Sequence, residues 1–339
     1  MKVYAFALVL AFGLALTGCP DLNGGGDGGN GGGGGGGPYE DPVAAAKLAA
    51  DINAIKPGSA ELSGAKVTII DDVGIENGLT VPEGVTLDVT ADGAALTLRD
   101  STLTVNGKVN AGPQYIRLDD TASLATINGS GTIHLTGQGN LLRARSGKKL
   151  TLDGVTLAGL NNNSAPLVTI ENGGEFVLKS GAITGNTRVS NEWAVGGGVY
   201  VGEGGLLTME GGTISGNTAS GANAGGGGVW VNGGTFVMID GTISGNTVTS
   251  GGSSLGGGVY VWDEGFFTMQ DGTISGNTAT SSGTDGSSSG GGVGMDGGSE
   301  FIMEGGTISG NTATGGRYGG GGGVGVSDED STFTMKDGT

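Results

Sequence analysis

The chain has 339 residues, 79 of them Gly, one Cys, one His and a net charge of -18. Collagen is excluded because Gly does not recur at every third position, and plain disorder because the second half carries apolar residues at fixed spacing. So acidic a chain is not expected to bind nucleic acid, whose phosphates call for Lys/Arg clusters, and a lone Cys forbids an intrachain disulfide, so packing must hold the fold.

Residues 1–19 have the pattern of an export signal. Lys2 gives a short basic start, Val3 to Leu16 is an apolar run too short for a membrane span, and Leu16-Thr17-Gly18-Cys19 closes it. This closing tetrad resembles the lipobox of bacterial lipoproteins. The resemblance implies acylation of Cys19, which becomes the mature N-terminus. It also implies export and anchoring to the cell envelope by lipid; the outer membrane, with exposure at the surface, is the expected place, while the tetrad itself leaves membrane and leaflet open. Residues 20–37 form a Gly-rich tract that buries nothing, so the expectation is a flexible tether.

Residues 38–65 are expected to cap the N-terminal end of the strand region. Asp41-Pro42 is a helix start and Pro57-Gly58 a stop, which predicts a short helix over 42–55 with Val43, Leu48, Ile52 and Ile55 on its apolar face. From Lys66 the pattern changes to short alternating strands such as Val85–Val89, Thr102–Val105 and Leu150–Leu152, punctuated by Gly, Asn and Asp.

From about residue 175 the chain repeats. Ile-Thr/Ser-Gly-Asn begins at Ile183, Ile214, Ile243, Ile274 and Ile308, at spacings of 31, 29, 31 and 34 residues. Ahead of it runs a series of large apolar residues, Phe176, Leu207, Phe236, Phe267, Phe301 and Phe333. Two residues further on lies a second series, Leu178, Met209, Met238, Met269, Met303 and Met335. A third strand reads Gly-Gly-Gly-Val-x-Val, as at Gly196–Val201 and Gly256–Val261. Three short strands in about thirty residues cannot make a self-sufficient layer, but stacked coils let like strands pair in parallel. The expected fold is all-β, a right-handed parallel β-helix over 66–339 with three short strands per coil and a short N-terminal capping helix. The last repeat is cut at Asp337-Gly338-Thr339.

Period-two alternation points Val, Phe, Met and Ile inward. Phe236, Phe267 and Phe301, with Met209, Met238, Met269 and Met303, are therefore expected as interior ladders rather than a soft-metal site. Asn186, Asn217, Asn246, Asn277 and Asn311 are expected as an amide ladder at one turn rather than a ligand site. Asp240 and Asp271 share a register in adjacent coils, which makes them candidates for Ca²⁺, against the reading of solvated turn carboxylates. His134 stands alone. Arg143, Arg145, Lys148 and Lys149 are the one basic cluster. The middle of the Val-x-Val strand holds Tyr200, Trp230 and Tyr260, then Gly294 and Gly325. If the valines face in, these rings face out, either as an exposed binding strip or covered by the variable loops between each Asn and the next Gly-Gly-Gly.

The Gly-Asn-Thr-Ala and Gly-Gly-Gly-Val-Tyr-Val elements resemble the repeats of the polymorphic outer membrane proteins over about residues 175–339. That likeness implies a β-helical adhesin, although the outer-membrane barrel of that family has no counterpart in the sequence. Two functions are carried forward. The first is a surface-anchored, non-enzymatic binding or adhesion module without a catalytic residue, whose partner is a glycan or a host or cell-surface protein. The alternative is a carbohydrate-active enzyme, a lyase or hydrolase of the pectate-lyase-like fold, signalled by two acids and a base converging in one groove.

Overall fold

The computed structural model describes residues 39–171, 173–315 and 318–339. The signal segment with Cys19 and the tether lie outside them.

Helix α1, Pro42–Ile55, opens with the Asp41 carboxylate accepting from the N–H groups of Val43 and Ala44 at 3.1 and 2.9 Å. Its buried face is Ala45, Leu48, Ala49 and Ile52. Val43 and Ile55, expected on that face, are exposed. The alanines hold those places because a small side chain lets the helix lie close over the first coil. Behind the helix, Ala60–Ser63 pairs antiparallel with Lys66–Ile69. Every other strand pair in the molecule is parallel among the described residues, so the fold is a parallel β-solenoid.

Three ladders follow the three strand types. The Thr-Ile-Ser strands, among them Thr213–Ser215, Thr242–Ser244 and Thr273–Ser275, belong to an eleven-stranded sheet. The Phe-x-Met strands, among them Thr235–Met238, Phe266–Met269 and Glu300–Met303, belong to a ten-stranded one. The Val-x-Val strands form a seven-stranded sheet from Leu142–Arg145 to Val324–Val326. On the same side of the coil, a separate three-stranded sheet of Asp72–Ile75, Ala95–Leu98 and Ile116–Leu118 precedes it. One continuous core fills the coil interior. Phe236, Phe267, Phe301 and Phe333 stack face to face at centroid distances of 4.6, 4.5 and 4.9 Å. Met209, Met238, Met269 and Met303 are buried beside them.

A fifth sheet is the main departure from the sequence-based expectation. The stretches between each Asn and the next Gly-Gly-Gly read as variable loops. Instead they fold as an arm of stacked strands, beginning with Thr187–Val195 and Thr218–Gly225. In the next coil Thr247–Ser250 runs out and Ser254–Leu255 runs back, and in the one after Thr278–Ser281 and Ser287–Ser289 do the same. Ala194, Ala219, Ala224, Val248 and Ala279 make a small core between the two legs.

The Gly-Gly-Gly run is explained by the return from arm to coil. Gly256 has φ 60°, and a Cβ there would lie 2.1 Å from the Val259 carbonyl oxygen. On Gly257 it would lie 2.4 Å from the oxygen of Gly291 one coil on, and on Gly258 it would meet Gly292 O at 2.7 Å and Asn277 Nδ2 at 3.0 Å. Chirality excludes a side chain at the first position, and contact with the next coil excludes one at the other two.

Candidate functional site

The central column of the Val-x-Val sheet runs Arg143, Thr169, Tyr200, Trp230, Tyr260, Gly294, Gly325, each residue paired with the next. Val199, Val201, Val229, Val231, Val259 and Val261 are fully buried on the other face, so the rings do point away from the coil interior. They are not an exposed strip. Trp230 is 4% and Tyr260 2% exposed, and Tyr200 is half-buried. The return leg of the arm covers them, and Trp230, Leu255 and Tyr260 form a cluster flanked by Val195 and Tyr200. Alternation says which face a residue takes but not what lies over that face. Burial keeps the Tyr260 hydroxyl protonated, its pKa raised first by desolvation and then by Asp296 and Asp328.

Roof and floor fit coil by coil. Val195, Gly225, Leu255 and Ser289 are paired along the return leg above the column. Where the floor carries Trp230, the roof has Gly225, whose absent Cβ would lie 2.7 Å from Trp230 Cζ3. Where the floor is Gly294, the strand closes down until a Cβ would lie 2.9 Å from Ser289 O.

At the mouth of this sandwich two more tryptophans complete the arrangement. Trp193 on the arm and Trp262 at the end of its Val-x-Val strand are 43% and 39% exposed. Both meet Trp230 edge to face, at 6.0 and 6.3 Å, while Tyr260 meets it at 4.7 Å. These four rings, with Ser253 and Asp296, line a groove of about 540 Å³. All three tryptophans of the chain are therefore in one place. Neither Trp193 nor Trp262 stands in the register of the column, so the repeat pattern does not mark them. Their closeness to three successive Gly-Gly-Gly-Val-x-Val runs was the available signal.

Polar satisfaction is poor around the same column. Trp230 Nε1, Arg188 Nε, Asn232 Oδ1 and Arg143 Nε are shielded from solvent and have no hydrogen-bond partner. Folded proteins leave few such groups, so their collection at one place calls for an explanation.

The other sequence candidates fall elsewhere. Asn186, Asn217, Asn246 and Asn277 are fully buried, each backbone N–H donating to the side-chain oxygen of the Asn one coil on. Asn311 closes the series, and Asn163, unnoticed in the degenerate region, begins it by donating to Asn186 Oδ1 at 3.0 Å. Asp240 and Asp271 are exposed, and each carboxylate accepts from the N–H of the glycine next in the chain, at 2.6 and 2.7 Å. Among the described residues no three His, Cys, Asp or Glu side chains converge as a metal site. His134 is half-buried on the Thr132–Leu135 strand, and desolvation, then Lys108, lowers its pKa.

Arg143 and Arg145 both bind Glu171, Lys149 pairs with Glu175 at 3.5 Å, and Lys148 Nζ donates to the carbonyls of Asp119, Asp120 and Ala122. Acids and bases instead converge on the three-stranded sheet. There Arg99 binds Glu76 and Asp119 at 3.0 and 3.1 Å, and Arg117 binds Asp72 at 3.1 Å and Thr97 at 3.3 Å. No protein-family model, curated protein or solved structure matches this chain.

Proposed function

We propose that the chain is an exported, lipid-anchored protein of the cell envelope whose β-solenoid presents the aromatic groove to carbohydrate. The carrying observation is that every tryptophan lies around one groove in which the Trp230 indole N–H is buried without a partner. Flat aromatic faces suit the apolar C–H faces of sugars, and rigid rings add contact area at little entropic cost. Asp296 and Ser253 supply the polar groups that bind hydroxyls, and the volume is of the size that holds small ligands. The sequence adds the anchor at Cys19 and a likeness to adhesin repeats, which support display at the surface.

The test uses intrinsic fluorescence, since every tryptophan of the chain lies at the groove. Neutral oligosaccharides should shift the emission saturably, and Trp262→Ala, which removes a half-exposed wall, should weaken binding about two- to tenfold, the worth of one aromatic contact. Emission indifferent to a broad glycan panel rejects the reading, and binding of a purified surface protein instead would move the partner to that class. Detergent-phase partition of the wild type, lost in Cys19→Ser, tests the anchor.

A second reading, a polysaccharide-cleaving enzyme, rests on the cluster of Asp72, Glu76, Asp119, Arg99 and Arg117. It is the weaker one, because each arginine is already engaged by carboxylates and a catalytic base needs a free lone pair.

A further inference from the structure

We infer that the Arg188 end of the groove is a subsite for a carboxylate, so that the preferred ligand is a saccharide carrying an acidic sugar. The inference rests on the groove reading and specifies its ligand.

Arg188 lies on the first strand of the arm. Beneath it a hollow of about 210 Å³ is lined by Asn140, Thr169, Val195 and Tyr200 as well as Arg188 itself. Val195 is also a wall of the aromatic groove, so the two hollows adjoin. The guanidinium donates through Nη1 to the Val195 carbonyl, while its Nε is shielded from solvent and unpartnered. The neighbouring arginines of this face, Arg143 and Arg145, share Glu171. Arg188 has no ion pair among the described residues, and only burial and the Tyr200 hydroxyl perturb its charge.

A guanidinium half out of water without a counter-charge is costly, and the cost is relieved when a carboxylate is brought to it. Nη1 is taken by the Val195 carbonyl and Nε is closed to solvent, so a carboxylate meets the face of the guanidinium that lines the hollow, in a charge-assisted hydrogen bond. Tyr200 and Thr169 face the same hollow and can meet the remaining oxygens of an acidic sugar.

The subsites are also ordered. From Tyr200 the column passes Trp230 and Tyr260 to Gly294, whose strand leads into Asp296. Three strand spacings make about 14 Å, within the reach of a short oligosaccharide. The cation stands at one end, the aromatic rings in the middle and the Asp296 carboxylate at the other end. A ligand with its acidic sugar at the first and neutral hydroxyls at the last fits this polarity, and the reversed orientation sets two carboxylates together.

The probes are sialyllactose, its methyl ester and lactose, titrated into the full chain in mild detergent by calorimetry and tryptophan fluorescence. Sialyllactose should bind about tenfold or more tightly than either uncharged probe, the worth of one charge-assisted hydrogen bond. Arg188→Gln should abolish that preference. Arg188→Lys, which keeps the charge, should restore part of it, and a thermal melt of each variant reports folding. Equal binding of sialyllactose and lactose, or a preference that survives Arg188→Gln, overturns the carboxylate subsite and leaves the groove reading standing. Binding of none of the probes, with unmoved fluorescence, overturns the subsite. The broader neutral panel then judges the groove.

Discussion

The backbone N–H of Asn217 and its own side-chain amide both donate to one atom, Oδ1 of Asn246, at 3.0 and 3.2 Å. Asn246 Nδ2 in turn donates to Ile214 O at 2.8 Å. One side chain thus satisfies polar groups of the preceding coil that water cannot reach. Asn246→Ala leaves a buried N–H and a buried carbonyl short of a partner, and each such loss costs about 1–3 kcal/mol. We expect a marked fall in the denaturant midpoint for Asn246→Ala and a smaller one for Asn311→Ala, because Asn311 is only half-buried. Equal small shifts would contradict this account of the ladder.

The stacked phenylalanines allow a graded test. Leu207 occupies the same column between Phe176 and Phe236, so the coil accepts Leu there. Phe267→Ala should cost about 3–5 kcal/mol through lost transfer and the cavity left behind. Phe267→Leu should cost well under half of that, and Ser275→Ala, on a half-buried outward position, about 0.5 kcal/mol or less. Chemical denaturation of the three variants ranks them.

The interior was legible because it repeats. The positions of Phe267, Met269 and Ile274 carry a large apolar residue in every regular coil, at a spacing that only stacking satisfies. The arm was not legible, because Thr278–Ser281 and Ser287–Ser289 are small and polar, without an apolar face to mark them as strands. Their pairing depends on like residues arriving at the same height in successive coils, which is a property of the stack. The site was half legible for the same reason. Tyr200, Trp230 and Tyr260 were correctly turned outward from the coil, but their roof of Val195, Gly225 and Leu255 belongs to the arm. Asn163 escaped notice because its coil lacks the Ile-Ser-Gly-Asn frame.

Acid should report on the N-terminal ion network. Asp119 accepts from the hydroxyl and N–H of Thr121 and from Arg99 Nε, in that order of influence, and its pKa is held down to about 2. An unfolded Asp titrates near 3.9. The folded value lies below the unfolded one, so the contribution is complete above about pH 3.9 and is lost as pH falls through about 2. Asp119→Asn should therefore lower the melting temperature at pH 7. Its melting temperature should also fall less steeply than that of the wild type between pH 4 and pH 2. Parallel curves for the two proteins would show that this carboxylate is not coupled to folding.

The match between Gly225 and Trp230 makes the most specific prediction about the site. Gly225 pairs with Val195 and Leu255 in the roof, and the Trp230 ring fills the space a Cβ would occupy, its Cζ3 being 2.7 Å from that point and Leu255 O 3.1 Å. The carbonyl is held in the strand ladder, so the ring must give way. Gly225→Ala should therefore drive the indole toward the groove. Its emission should move to longer wavelength, acrylamide should reach it more readily, and overpacking should cost about 1–3 kcal/mol. Phe in place of Trp230 lacks the outer ring that carries Cζ3. The double variant Gly225→Ala with Trp230→Phe should then be less destabilised than the sum of the singles, with a coupling of about 0.5–3 kcal/mol, as expected for residues in direct contact. Simple additivity, with an unchanged emission maximum in Gly225→Ala, would mean that the arm lifts away instead. In that case the roof would not be what shapes the groove.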